Sequence, residues 1–218
     1  MCAISTEGFA ESHPDADRLK TAIFGGTFDP IHTAHLTIAR EAAQQFALGR
    51  VLFIPAAHPP HKPNAALASY EHRYRMVELA CRDDERFIPS RLEEENRKSY
   101  SILTIEQIRQ SLAPGDELFF IIGADAFAEI TAWHRWQDVA REVDFIVVTR
   151  PGHDYAIPRG ARVHRLETVA LPVSSSEIRQ KLASGEASDE LPPAVLAYIR
   201  QNGLYELGQT ARSPTSAG

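Results

Sequence analysis

His32 and His35 stand three residues apart, so on a helix their imidazoles share one face. They follow Gly25, Gly26, Thr27, Phe28, Asp29 and Pro30, which end the apolar run 21–24. Glycines at such a point let the backbone approach a ligand with no Cβ in the way. Amides of the turn and of the next helix start can point at an anion. Two imidazoles there would add hydrogen-bond donors for phosphate oxygens. Two competing assignments stay open: a plain strand–turn–helix junction with exposed histidines, and half of a zinc site, which would need further ligands.

Four other clusters stand out. Ser174, Ser175 and Ser176 precede Glu177 and Arg179. One of the serines can cap a helix, with the glutamate in its first turn. Arg179 then opposes the helix dipole, unless an anion gathers the amides, hydroxyls and guanidinium around itself; a surface salt bridge is the alternative. The proline-rich loop after residue 55 holds His58, His61 and Lys62, and Lys62 could reach a phosphate. Gly123 and Asp125 follow another apolar run, where an acid commonly accepts from ribose hydroxyls or caps a helix. Trp133 and Trp136 are three apart, and core packing suits at least one of them.

The elements that must position these residues alternate. Strand-like runs fall at 21–24, 50–55, 86–90, 117–122, 143–148 and 161–167. Helical spacing predicts helices over 33–48, 69–82, 99–113, 174–185 and 192–205, with a helix start after Gly123. Mostly apolar strands alternating with helices predict an α/β fold, a doubly wound parallel sheet covered on both faces. Ligands in such sheets bind beyond the carboxyl ends of the strands, and the unusual residues lie there.

Length and composition set bounds. The chain has 218 residues, enough for one domain with a substantial core. A polar, flexible leader is expected over 1–20, a single domain over 21–205 and a flexible tail over 206–218. The first residues have no basic start and no apolar core of a secretory signal. No run approaches a membrane span, so no membrane partner is expected. Cys2 and Cys81 are the only cysteines, which fits a reducing, cytoplasmic setting. The net charge of −6 argues against broad nucleic-acid binding, so phosphate ligands need a local pocket.

The stretch GGTFDPIHTAH (25–35) resembles the G-x-F-D-x-x-H-x-x-H signature of the nucleotidyltransferase superfamily, and GGTFDP is similar to nicotinate mononucleotide adenylyltransferases. The resemblance runs from about 21 to 205 and takes in PPHK (59–62), SYS (99–101), IIGADAF (121–127), Trp133 and SSSEIR (174–179). Ser176, Ala34 and Ser101 stand where that family more often has Thr, Gly and Thr.

The resemblance implies a Rossmann-like nucleotidyltransferase fold and adenylyl transfer from ATP to nicotinate mononucleotide, with Mg²⁺ carried by the ATP. It implies His32, His35 and Arg179 at the reacting phosphates. It implies Gly25, Gly26, Thr27, Phe28, Lys62, Gly123, Asp125, Ser175 and Ser176 around ATP. Ser99, Tyr100, Ser101, Thr104 and Trp133 would hold the acceptor, Trp133 by stacking and the 99–101 region by backbone donors. An enzyme of the same fold with another phosphate acceptor, a non-catalytic nucleotide sensor and a homodimer all stay open.

Overall fold

The computed structural model describes residues 18–57, 68–94, 99–168, 173–186 and 188–206. Six strands form one sheet: β1 (Lys20–Gly26), β2 (Arg50–Pro55), β3 (Phe87–Pro89), β4 (Glu117–Gly123), β5 (Asp144–Thr149) and β6 (Arg162–Glu167). All neighbours are parallel, in the order β3-β2-β1-β4-β5-β6. The chain works outward from β1 to β3, then restarts at β4 on the other side of β1. That reversal opens a crevice at the carboxyl ends of β1 and β4, where doubly wound sheets bind ligands.

Helices cover both faces: α1 (Thr33–Gln45), α2 (Tyr70–Ala80), α3 (Ser101–Ser111), α4 (Ala124–Ala128), α5 (Trp136–Glu142), α6 (Ser175–Ala183) and α7 (Pro193–Gln201). Strand side chains alternate between the faces. Phe24, Phe53, Phe119 and Ile121 pack with α1, α2, α6 and α7. Ile23, Ile54, Phe120 and Ile122 pack with α3, α4 and α5. Burying each such side chain contributes roughly 1.5–3 kcal/mol, so the sheet is a firm base for the loops at its carboxyl edge.

The expected elements are all present, with shifted ends. The 33–48 helix stops at Gln45, because Ala47 adopts a left-handed φ of 53°. The 99–113 helix starts at Ser101, leaving Ser99 and Tyr100 ahead of it. The expected leader ends earlier than residue 20: Lys20 opens β1, Leu19 N–H donates to Asp116 Oδ1 at 3.0 Å, and Glu117 N–H donates to Leu19 O at 3.1 Å. Residues 1–17 and 207–218 of the expected leader and tail lie outside the described residues, as does Lys62 with the 58–67 loop. No helix among the described residues is long and apolar enough to cross a membrane.

Candidate active site

The turn after β1 is built around a strained phenylalanine. Phe28 has φ 49°, a left-handed conformation that non-glycine residues adopt at a cost, and its ring is buried against Phe24, Phe53 and His35. A Cβ on Gly26 would meet that ring at 3.0 Å. Gly26 thus makes room for Phe28 while also bordering the cavity described below. At Gly25 a Cβ would meet only Phe120 Cζ, at 3.8 Å. The side chain of Phe28 is core, so it offers a ligand no polar group.

Asp29 follows, joined to Pro30 by a cis peptide bond and only 1% exposed. Its carboxylate accepts from Ala68 N–H at 3.3 Å and from the Tyr205 hydroxyl at 2.6 Å. Its carbonyl accepts from Arg179 Nη1 at 2.7 Å, with the Arg179 guanidinium 3.8 Å from Oδ2. Burial first, and then Asp29, pushes the Tyr205 hydroxyl far above its usual pKa, so it stays a proton donor. Buried Arg73 donates from Nη1 to the carbonyls of Thr27 and Ala56, both at 2.8 Å, and from Nε to Ala68 O at 3.3 Å. The loops after β1 and β2 are thus tied to α2, α6 and the end of the chain's described part.

The two histidines are neither exposed nor cationic. His32 is buried and His35 half-buried, with rings 3.8 Å apart. His32 N–H donates to His35 Nδ1 at 3.2 Å. That bond leaves the His35 proton on Nε2, which makes Nε2–H a fixed donor. Burial pulls the His32 pKa down to about 4, against a smaller upward pull from Glu190. Burial, and then His32, pulls His35 well below its usual value. Among the described residues His32 Nδ1 is buried with no hydrogen-bond partner, a costly state for a polar atom. Among the described residues no three His, Cys, Asp or Glu are grouped to hold a metal ion.

At α6 the cap is Ser174, in a reciprocal box with Glu177. Ser175 Oγ donates to Pro30 O at 3.0 Å, and Arg179 donates to Ser176 Oγ at 3.2 Å. The dipole objection to Arg179 is met by Asp29, a partner within the chain, rather than requiring a bound anion. Two motifs 150 residues apart are thereby joined.

Two cavities meet at Gly123. One, of about 330 Å³, is bordered by Gly25, Gly26 and Thr27 on one side and by Ser99, Tyr100, Ser101, Thr104 and Trp133 on the other. Its volume falls at the lower end of the range for small-molecule sites. Trp133 packs edge-on against Phe120, and Tyr100 stacks on His134 at 4.4 Å. Among the described residues no side chain caps the first turn of α3, so its amides are suited to an anion. Trp136 packs against the core on the same face. The second cavity, also about 330 Å³, is bordered by Asp125, Thr149, Arg150 and His153. Asp125 lies in the first turn of α4, whose cap position is Gly123.

Sequence reasoning missed Asp29 as a hub, Arg73, Tyr205 and Glu93. Glu93 borders the first cavity and accepts from Thr104 Oγ1 at 3.0 Å, so the cavity contains a carboxyl besides the backbone donors expected at 99–101. The only sequence signal for Arg73 is a basic residue on the apolar stripe of a helix.

A parallel six-stranded sheet with a glycine–histidine turn at its switch point and a serine-capped arginine helix beside it makes a nucleotidyltransferase-type α/β fold. The family model described as cytidylyltransferase-like matches residues 23–181. A protein of Solibacter usitatus named as a probable nicotinate-nucleotide adenylyltransferase is 63% identical over 187 residues, covering 86% of this chain and all of the other. One of Pelobacter propionicus with the same name is 41% identical over 213 residues, covering 86% and 98%. The chain belongs to the nicotinate-nucleotide adenylyltransferase family. Among solved structures, a Plasmodium falciparum nicotinic acid mononucleotide adenylyltransferase complexed with NaAD aligns over 86% of this chain and 98% of that one, with a TM-score of 0.68 at 20% identity. That likeness bears on the fold.

Proposed function

We propose that the chain transfers the adenylyl group of ATP to nicotinate mononucleotide, giving the deamido form of NAD and pyrophosphate. The observation that carries this is the pair of cavities meeting at Gly123, one walled by Trp133 and the start of α3, the other by Asp125. The first suits a flat ring bearing an anion. The second suits a ribose, whose hydroxyls Asp125 can accept.

In the reaction an oxygen of the acceptor phosphate attacks the α-phosphorus of ATP. The bond from that phosphorus to the bridging oxygen breaks, and pyrophosphate leaves. The attacking oxygen is already anionic, so no general base is needed. The protein has to align two anions and stabilise the charge that gathers at the α-phosphate. Neutral His35 donates from Nε2–H to that phosphate, with the His32 ring packed beside it. Gly25 and Thr27 present backbone to the phosphates. Ser175, Ser176 and Arg179 serve the phosphates from α6, with Asp29 orienting the guanidinium. Lys62 is assigned to the same anion on sequence grounds alone.

Mg²⁺ enters as part of the ATP substrate, since it keeps several waters and needs few protein ligands. Trp133 supports the pyridine ring, Ser99 and Tyr100 border it, and the amides from Ser101 onward meet the carboxylate.

Pyrophosphate release tests the proposal, with ATP and a panel of phosphate acceptors. Nicotinate mononucleotide should exceed nicotinamide mononucleotide by roughly tenfold to a hundredfold at neutral pH, the equivalent of about 1–3 kcal/mol for a mismatched buried polar group. Equal use of the two, or preference for an acceptor lacking the pyridine, overturns the assignment.

A further inference from the structure

Glu93 lies in the turn after β3 and is 8% exposed. It borders the same cavity as Ser99, Thr104 and Trp133. The Thr104 hydroxyl donates to Oε1 at 3.0 Å, and the Ser99 hydroxyl also bonds the carboxyl. Oε2 is buried with no hydrogen-bond partner among the described residues. A buried polar atom without a partner is costly and calls for an explanation. Here the unmatched oxygen belongs to a residue lining a ring-sized cavity, beside the helix start that suits an anion.

We propose that Glu93 reads the substituent of the pyridine ring, by sharing one proton with the nicotinate carboxylate through its unpartnered Oε2. This rests on the reading of that cavity as the acceptor site. Two carboxyls held close cannot both ionise, so one keeps a proton and donates to the other. The arrangement suits protonation of Glu93: burial raises its pKa, and the Ser99 and Thr104 hydroxyls only partly oppose this. Tyr100 and His134 are the other titratable residues bordering the cavity, and they stack on each other. Behind Glu93 lie Tyr70 of α2 and, in its own turn, Arg91 and Glu94. Arg91 is engaged by Glu71 and Glu94. The edges of β1, β2, β4 and α4 bring only apolar side chains, glycines and Thr27 to the cavity.

The consequence is a preference that depends on pH. The nicotinate carboxylate needs Glu93 protonated. The nicotinamide group can accept from a protonated Glu93 or donate to an ionised one, so it is indifferent. Both mononucleotides carry the same phosphate, whose titration cancels in their ratio. Gln at this position keeps a donor that does not titrate.

The test is kcat/KM for the two mononucleotides with the full-length chain and with Glu93→Gln, at about pH 6 and about pH 8.5. Calorimetry of acceptor binding in buffers of different ionisation enthalpy accompanies it. In the wild type the ratio of acid to amide should fall about tenfold across that range, and nicotinate mononucleotide should take up a proton on binding while the amide does not. In Glu93→Gln the ratio should be flat, within about threefold. A flat wild-type ratio without proton uptake overturns the proposal. So does a Gln variant that loses both acceptors equally and keeps the slope, which marks Glu93 as support for the start of α3. The wild-type profile and calorimetry decide even if the variant does not fold. Absence of pyrophosphate release with either mononucleotide would sink the acceptor reading itself, whereas ample release with a pH-independent ratio would sink only the role of Glu93.

Discussion

Under the proposed assignment, the acceptor side and the phosphate side of the crevice use polar groups in opposite ways. On the acceptor side Trp133, Phe120 and Ile122 make apolar walls, and the polar side chains are a few hydroxyls, the His134 imidazole and one carboxyl with an oxygen unmatched among the described residues. On the phosphate side the cations engage the protein's own oxygens: Arg73 the carbonyls of Thr27, Ala56 and Ala68, and Arg179 both ends of Asp29. One half has groups free to discriminate between ligands. The other half has its charges woven into the fold, so damage there should appear in stability as well as in turnover.

Asp29→Ala should break this contrast most severely. It removes the acceptor of the Ala68 amide and the Tyr205 hydroxyl, and it leaves two guanidinium groups without their carboxylate. Breaking a buried charged network costs about 3–5 kcal/mol, read as a shift in the denaturant midpoint. A loss under about 1 kcal/mol would mean that the hub is not structural.

His35→Ala separates the two effects on the phosphate side. In the proposed reaction its Nε2–H faces charge that grows in the transition state, so turnover should fall roughly a hundredfold or more, about 3 kcal/mol. ATP binding should weaken much less. Near-normal turnover in a folded variant contradicts the catalytic assignment.

Acid should weaken the phosphate side first. His32 is held near a pKa of about 4 by burial, below its unfolded value of about 6.5. The unfolded chain therefore binds more protons between those values. Stability is full above about pH 6.5 and declines as pH falls towards about 4, by up to about 3 kcal/mol. Urea unfolding at several pH values reads this, and His32→Gln should make that part of the curve shallower, leaving the share of His35, whose pKa is also lowered by burial.

Much of this was legible in the sequence where the signal is local. The apolar runs gave way to strands within a residue or two, the Ser174 cap and Glu177 formed the expected box, and Trp133, Ser99, Tyr100, Ser101 and Thr104 came to one cavity. What was hidden is long-range. Asp29 meets Tyr205 and Arg179 across about 150 residues or more of chain, which no spacing rule reaches. Glu93 sits in an acidic run that reads as a solvated stretch, yet the turn after β3 buries it. Gly26 was identifiable as special, but its reason needed the ring of Phe28 in place.

The division between the two halves is tested most directly by separate binding titrations of nicotinate mononucleotide and of ATP to the wild type, Trp133→Ala and Arg179→Ala. Loss of the Trp133 face should weaken the mononucleotide by about tenfold, near 1.4 kcal/mol, and leave ATP within about twofold. Loss of the Arg179 fork should weaken ATP by about tenfold or more and leave the mononucleotide unchanged, with Arg179→Lys restoring only part. If each variant instead weakens both ligands alike, the crevice does not divide into an acceptor half and a phosphate half.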